Sequence, residues 1–206
     1  MKNRVMIQVV VTVVVSVFGI GIWSIGGHPQ FAWLRFFSVA VLVATAVLWL
    51  WDRVLWKTTL AQKFSATPRD VSGTWRGTLE SSWINPETGK KQRPKAAYLV
   101  IRQTASSVSV ILLTDESKSV SSLGTVSGAA GVRSLDYMYL NKPQVKVEDR
   151  SRMHHGSTSL DISGDPPTRL RGRYWTDRDT KGELDFFARD KRRVESFDEA
   201  AAVFPS

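Results

Sequence analysis

The segment Leu170-Arg-Gly-Arg-Tyr-Trp-Thr-Asp-Arg178 interleaves Arg171, Arg173 and Arg178 with Tyr174 and Trp175. Guanidinium groups fork onto phosphate oxygens and flat rings stack on bases, so this mixture can recognise a ligand that carries both. Tyr137-Met-Tyr-Leu-Asn141 adds two aromatics on one strand face and an amide at its end. A plainer reading fits the same residues: at period two, aromatics fill a core and arginines face water. Periodicity leaves both readings open.

Catalytic groups are few. Without cysteine there is no thiol nucleophile, no disulfide and no thiolate-bound metal. His154 and His155 are adjacent, so on a strand they point to opposite faces and cannot share a metal. Phosphate-loop, nucleophile-elbow and His-Glu-x-x-His patterns are all missing. Asp177-x-Asp179 resembles the start of a calcium loop but lacks the distal glutamate, and it reads as hairpin-turn chemistry. A binding protein, not an enzyme, is expected, with no cofactor.

These residues lie in a run of short alternating segments. Strands are predicted over 73–83, 97–104, 107–114, 117–126, 132–140, 156–163, 170–176 and 183–189, with turn residues between them. Eight antiparallel strands at this spacing form a sandwich or barrel, and eight closing as a barrel leave room for side chains or one small ligand. The tail from Ser196 to Phe204 reads as a short capped helix whose phenylalanine face packs on the barrel.

Ahead of the strands lie two apolar runs, Val5 to Ile25 and Phe36 to Leu55, split by Gly26-Gly-His-Pro-Gln30. Their length of about 20 residues each predicts an α-helical transmembrane hairpin over residues 1–56. Residues 57–69 read as a connector and 70–206 as an all-β domain. Lys2 and Arg4 before the first run, and Arg53, Lys57 and Lys63 after the second, put both termini and the barrel in the cytoplasm.

The chain of 206 residues carries a formal charge of +9. Beyond residue 60 the excess is mild and scattered, which argues against DNA or RNA and suits a phosphate-bearing ligand or an anionic surface.

Gly73-Thr-Trp-Arg-Gly77 is similar to the Gly-x-Trp opening of lipocalin-type barrels. That likeness implies a Trp75 plug at one end of the barrel, covered by a late arginine, Arg178 or Arg189. The whole arrangement resembles the effectors with two transmembrane helices and a β-strand-rich domain of bacterial cyclic-oligonucleotide antiphage signalling (CBASS). The Arg173-Tyr-Trp-Thr-Asp-Arg178 hairpin and Tyr139-Leu-Asn-Lys-Pro143 look like that family's strand-end motifs.

The resemblance implies an eight-stranded antiparallel lipocalin-like barrel that binds a cyclic di- or oligonucleotide made by a partner nucleotidyltransferase. It implies homo-oligomerisation, inner-membrane disruption and cell death as the output. Tyr139 and Tyr174 are expected to stack, Arg171 and Arg173 to hold phosphate, and Asn141 and Thr176 to meet base or ribose edges. The alternatives are a membrane-tethered lipocalin-like module for an apolar ligand or lipid, and a structural interaction protein.

Overall fold

Alternation of apolar and polar residues closes the second part of the chain into a barrel. In the computed structural model it runs through eight strands: β1 (Gly73–Ser81), β2 (Lys95–Gln103), β3 (Val108–Leu113), β4 (Ser117–Ser127), β5 (Ser134–Pro143), β6 (His154–Ser163), β7 (Arg169–Thr176) and β8 (Lys181–Asp190). Each strand pairs antiparallel with the next, and β8 returns to β1, so no edge is left open. Residues 2–24, 26, 33–64, 67–84, 89–128, 133–148 and 151–204 are described. The chain divides into two units, residues 1–67 and 68–206.

Residues facing each other across a ladder share a face, so the register sorts the barrel interior into layers. One end is packed with apolar bulk: Leu99, Ile101, Leu135, Leu160, Leu170, Leu184 and Phe186 are fully buried there with Trp75. Trp75 sits opposite Leu99 on one side and Arg189 on the other. Its indole Nε1 donates to the Val71 carbonyl at 2.8 Å, and the Arg189 guanidinium lies 5.3 Å from its ring centroid. Arg189 also donates to the Asp70 and Ser72 carbonyls at 2.9 and 2.6 Å and to the Asp70 carboxylate at 3.2 Å. Gln103 completes the lock, accepting from the Val71 amide at 2.9 Å and donating to the Arg69 carbonyl at 2.8 Å. Of the two arginines expected over the plug, Arg189 takes the place. Gly73 opens β1 with φ +123, and a Cβ there would lie 2.4 Å from the Asp190 carbonyl oxygen, which accounts for the glycine two residues before the tryptophan.

The tail helix packs outside the barrel. It runs from Phe197 to Val203 and is capped by Ser196, whose hydroxyl accepts from the Glu199 amide at 3.2 Å. Phe197 meets Tyr98 of β2 edge-on at 5.2 Å, and Phe204 stacks on it at 6.0 Å. With Val100 and Leu113 they form a second, smaller apolar cluster on the outward faces of β2 and β3.

The first unit holds helices over Lys2–Ser24 and Trp33–Arg53, which touch each other, followed by a short helix over Thr59–Gln62. Phe18 and Phe37 meet edge-on at 6.4 Å. The expected transmembrane hairpin is corrected here: among the described residues, no helix is long and apolar enough to cross a membrane. The helical segments form where the apolar runs lie, but helix length and spanning length differ. The second helix includes Arg35, Asp52 and Arg53, so its apolar stretch 36–51 rises only roughly 24 Å at ~1.5 Å per residue. Gln8, Thr12 and Ser16 interrupt the first. Residues 27–30 of the expected turn lie outside the described residues.

Trp75 fills the closed end and holds Val71 and Arg189 in place, so Trp75→Ala is expected to lower unfolding free energy by ~3–5 kcal/mol in urea denaturation. A loss below about 1 kcal/mol would mean that the end closes without it.

Candidate functional site: a cavity at the open end of the barrel

Opposite the plug, the strand ends turn polar. The C-terminal ends of β1, β3, β5 and β7 and the N-terminal ends of β2, β4 and β6 surround a cavity of about 740 Å³, within the range of small-molecule sites. Its lining mixes aromatic, amide, hydroxyl and cationic groups. Tyr139, Tyr174 and Trp83 supply the aromatic groups, and the two tyrosines each lie across from a glycine in the register, Gly156 and Gly182. A Cβ on Gly156 would come within 2.4 Å of the Tyr139 Cζ and Oη, and one on Gly182 within 2.6 Å of the Tyr174 Cε1. Both rings therefore lie along the wall, in space that a side chain would fill.

Asn141 is buried, and its carbonyl Oδ1 accepts from the Ser119 hydroxyl at 2.8 Å. That bond engages the amide oxygen and sets which way the NH₂ group turns. Thr176 is engaged in its own turn: its Oγ1 lies 2.6 Å from the Thr180 Oγ1 and accepts from the Arg178 and Thr180 amides at 3.3 Å. Its hydroxyl shapes the β7–β8 hairpin at the cavity mouth, where Asp179 takes φ 57.

Charge at this end is lopsided. Lys90, Lys91, Lys95 and Arg178 line the cavity, against one carboxylate, Glu116. Lys95 pairs with Glu116 at 2.5 Å, Lys91 pairs with Glu80 at 2.6 Å, and Arg178 donates to the Arg152 carbonyl at 3.2 Å. An anion entering here meets an excess of positive charge. His154 also lines the cavity, while its neighbour His155 faces the other way. Among the described residues no group of three or more His, Asp or Glu is arranged to hold a metal ion.

The six residues singled out in the sequence separate into two sets. Tyr139, Asn141, Tyr174 and Thr176 converge on the cavity. Arg171 and Arg173 alternate with Leu170, Gly172 and Tyr174 on β7, so they stand on the outer wall and do not reach it. Arg171 instead approaches Glu183 at 3.4 Å in a solvent-exposed pair. The cavity's cations were legible elsewhere. Carrying the alternation of β2 back from Leu99 and Ala97 puts Lys95 on the inward face, whereas a strand begun at residue 97 leaves it in a basic loop. Ser119 was hidden because a serine-rich strand has no apolar face to mark its inside.

One step inward from Tyr139 along β5, Tyr137 lies in a layer with Thr158 and Tyr174. Tyr137 and Thr158 face each other in the β5–β6 register, and Thr158 also faces Tyr174. Both are buried, and neither the Tyr137 Oη nor the Thr158 Oγ1 meets a hydrogen-bond partner in the structure. An unsatisfied buried hydroxyl costs about 1–3 kcal/mol. Burial drives the phenols of Tyr137, Tyr139 and Tyr174 above their ordinary pKa. At Tyr137 the neighbouring Thr158 hydroxyl opposes that rise in part, although the two do not meet in hydrogen-bond geometry.

A closed barrel plugged at one end, with a polar and aromatic cavity at the other, defines a small-molecule receptor. Residues 65–187 match the family described as Cap15, cyclic dinucleotide receptor domain, and the chain belongs to that family. CD-NTase-associated protein 15 of Staphylococcus schleiferi is 29% identical over 163 residues, covering 79% of this chain and 81% of that protein. The chain is thus a CBASS effector of the cyclic-nucleotide-binding kind.

Because the three inward phenols stay neutral in the folded state, their contribution to stability is intact below the unfolded value near ~10 and is lost as pH rises beyond it. Absorbance at 295 nm should therefore rise in step with loss of circular dichroism in an alkaline titration. Full phenolate formation near pH ~10 with the fold intact would contradict this burial.

Proposed function

We propose that the cavity at the open end binds one cyclic dinucleotide. Its bases lie against Tyr139 and Tyr174, and its phosphates sit near Lys95 and Arg178. The single observation that carries this reading is the convergence of two wall-lying tyrosines, one fixed amide donor and an excess of cations in one ligand-sized cavity. A cyclic dinucleotide has two flat bases and two negative phosphates, so it needs both kinds of surface together. Asn141, oriented by Ser119, reads an acceptor on a base or ribose, and Thr176 shapes the mouth.

An apolar ligand is a poorer match. It would strip water from the Asn141 amide and the Lys95–Glu116 pair without replacing their hydrogen bonds.

The proposed signal comes from a partner nucleotidyltransferase on the cytoplasmic side. The proposed response is self-association, disturbance of the inner membrane and death of the infected cell. The helical unit favours action at a membrane surface: Ile7, Val11, Val15, Ile20, Trp23, Leu42 and Trp49 are all exposed on it. No membrane-spanning helix is invoked.

Titration of the full chain with a panel of cyclic di- and trinucleotides tests the site. Saturable binding is expected, weakened at least about tenfold by Lys95→Ala and by Asn141→Ala, or ~1.4 kcal/mol each. Arg171→Ala and Arg173→Ala are expected to leave affinity within about twofold. The reverse pattern would move the site to the outer wall of β7, and no binding by any nucleotide would overturn the proposal.

A further inference from the structure

We propose that Tyr137 and Thr158 form the floor of the ligand site and take the hydrogen-bonding edge of one nucleobase. This inference rests on the reading of the cavity as a cyclic-dinucleotide site and adds residues that determine base preference. The two hydroxyls are the feature of the barrel interior that packing does not account for. Elsewhere inside, the described layers are either apolar, as around Leu135 and Leu160, or satisfied, as in the Ser119–Asn141 bond. Tyr137 is 4% and Thr158 2% exposed, and neither hydroxyl oxygen finds a partner. Phenylalanine and valine would fill the same volumes without leaving a polar atom bare, so folding alone does not call for these hydroxyls.

Their position gives them a use. Both point into the barrel, Thr158 directly opposite Tyr174 and Tyr137 two residues inward of Tyr139, and those two tyrosines line the cavity. The Tyr137 and Tyr139 rings are 6.0 Å apart, centroid to centroid. The far ends of the Tyr139 and Tyr174 rings rest over Gly156 and Gly182 and not over a side chain that would wedge them. In this proposal the Tyr139 ring turns aside as a base enters and gives it access to the hydroxyls. A base entering edge-first would then stack on a tyrosine face and place its ring donors and acceptors against the Tyr137 Oη and the Thr158 Oγ1. Each hydroxyl can donate and accept, so the pair can complement a base edge that carries one of each. Base edges, unlike phosphates, differ between nucleotides. A floor that meets one is therefore where preference among cyclic dinucleotides is set.

The test uses the full chain with cyclic dinucleotides carrying adenine, guanine, cytosine or uracil, read by calorimetric titration and thermal melting. Thr158→Val and Tyr137→Phe are expected to melt no lower than the parent without ligand. They should bind the preferred nucleotide at least about tenfold more weakly and show a flattened preference among bases. Thr158→Ser, which keeps the hydroxyl, should bind within about threefold of the parent.

Unchanged affinity and preference in Thr158→Val and Tyr137→Phe, while Asn141→Ala still weakens binding, would overturn the floor and leave the cavity reading standing. A parent chain that binds none of the nucleotides would overturn both.

Discussion

An eight-stranded barrel has an interior about one side chain deep from each wall, and what occupies its two ends decides whether it is a solid core or a cup. Here that decision is made by Trp75. Its indole fills one end, bonds to the Val71 carbonyl and lies under Arg189, whose guanidinium ties down the segment around Asp70 and Ser72. Once that end is closed by buried apolar bulk, the other can carry polar groups. The inward residues grade from Leu135 and Leu160, through Tyr137 and Thr158, to Tyr139, Asn141 and Ser119 at the mouth. Apolar packing and polar lining are thus divided along one axis of one barrel.

The same division accounts for local choices that look costly. Glycine in a strand weakens it, yet Gly156 and Gly182 sit opposite the two tyrosines that line the cavity. Without them the rings would be pushed off the wall. Likewise the Lys95–Glu116 pair holds a cation at the mouth of the cavity. Among the described residues of the barrel, the two buried hydroxyls without a partner, those of Tyr137 and Thr158, lie beside Tyr174 and Tyr139 and not at the plug.

Much of the fold was legible in the sequence because period-two alternation, punctuated by glycine, proline and serine turns, suits a closed or sandwiched sheet and little else. All eight strands and the capped tail helix follow from that pattern and from Ser196, whereas the Trp75 plug was implied by the likeness of Gly73-Thr-Trp75 to a lipocalin-type opening. Alternation does not say which face is inside. On β7 it marks Arg171, Arg173 and Trp175 as one face and Leu170, Gly172 and Tyr174 as the other, and only barrel closure puts the second set within. Lys95 and Ser119 escaped notice for related reasons: one stands where a strand begins, the other in a strand without an apolar face. The amino-terminal apolar runs show a different limit. Composition marks them as helices, but apolar length, not helix length, governs whether a membrane can be crossed, and no helix among the described residues meets that requirement.

The central claim is that the ligand enters the open end of the barrel. Backbone amide chemical shifts of the isotopically labelled full chain, followed as a cyclic dinucleotide is added, test it most directly. Entry at the open end predicts that the largest changes fall on Tyr139, Asn141, Tyr174 and Thr176 and on the strand ends around Lys95 and Ser119. The plug residues Trp75 and Arg189 should stay put. Changes concentrated on the outer wall of β7, at Arg171 and Arg173, with the cavity residues unmoved, would contradict it.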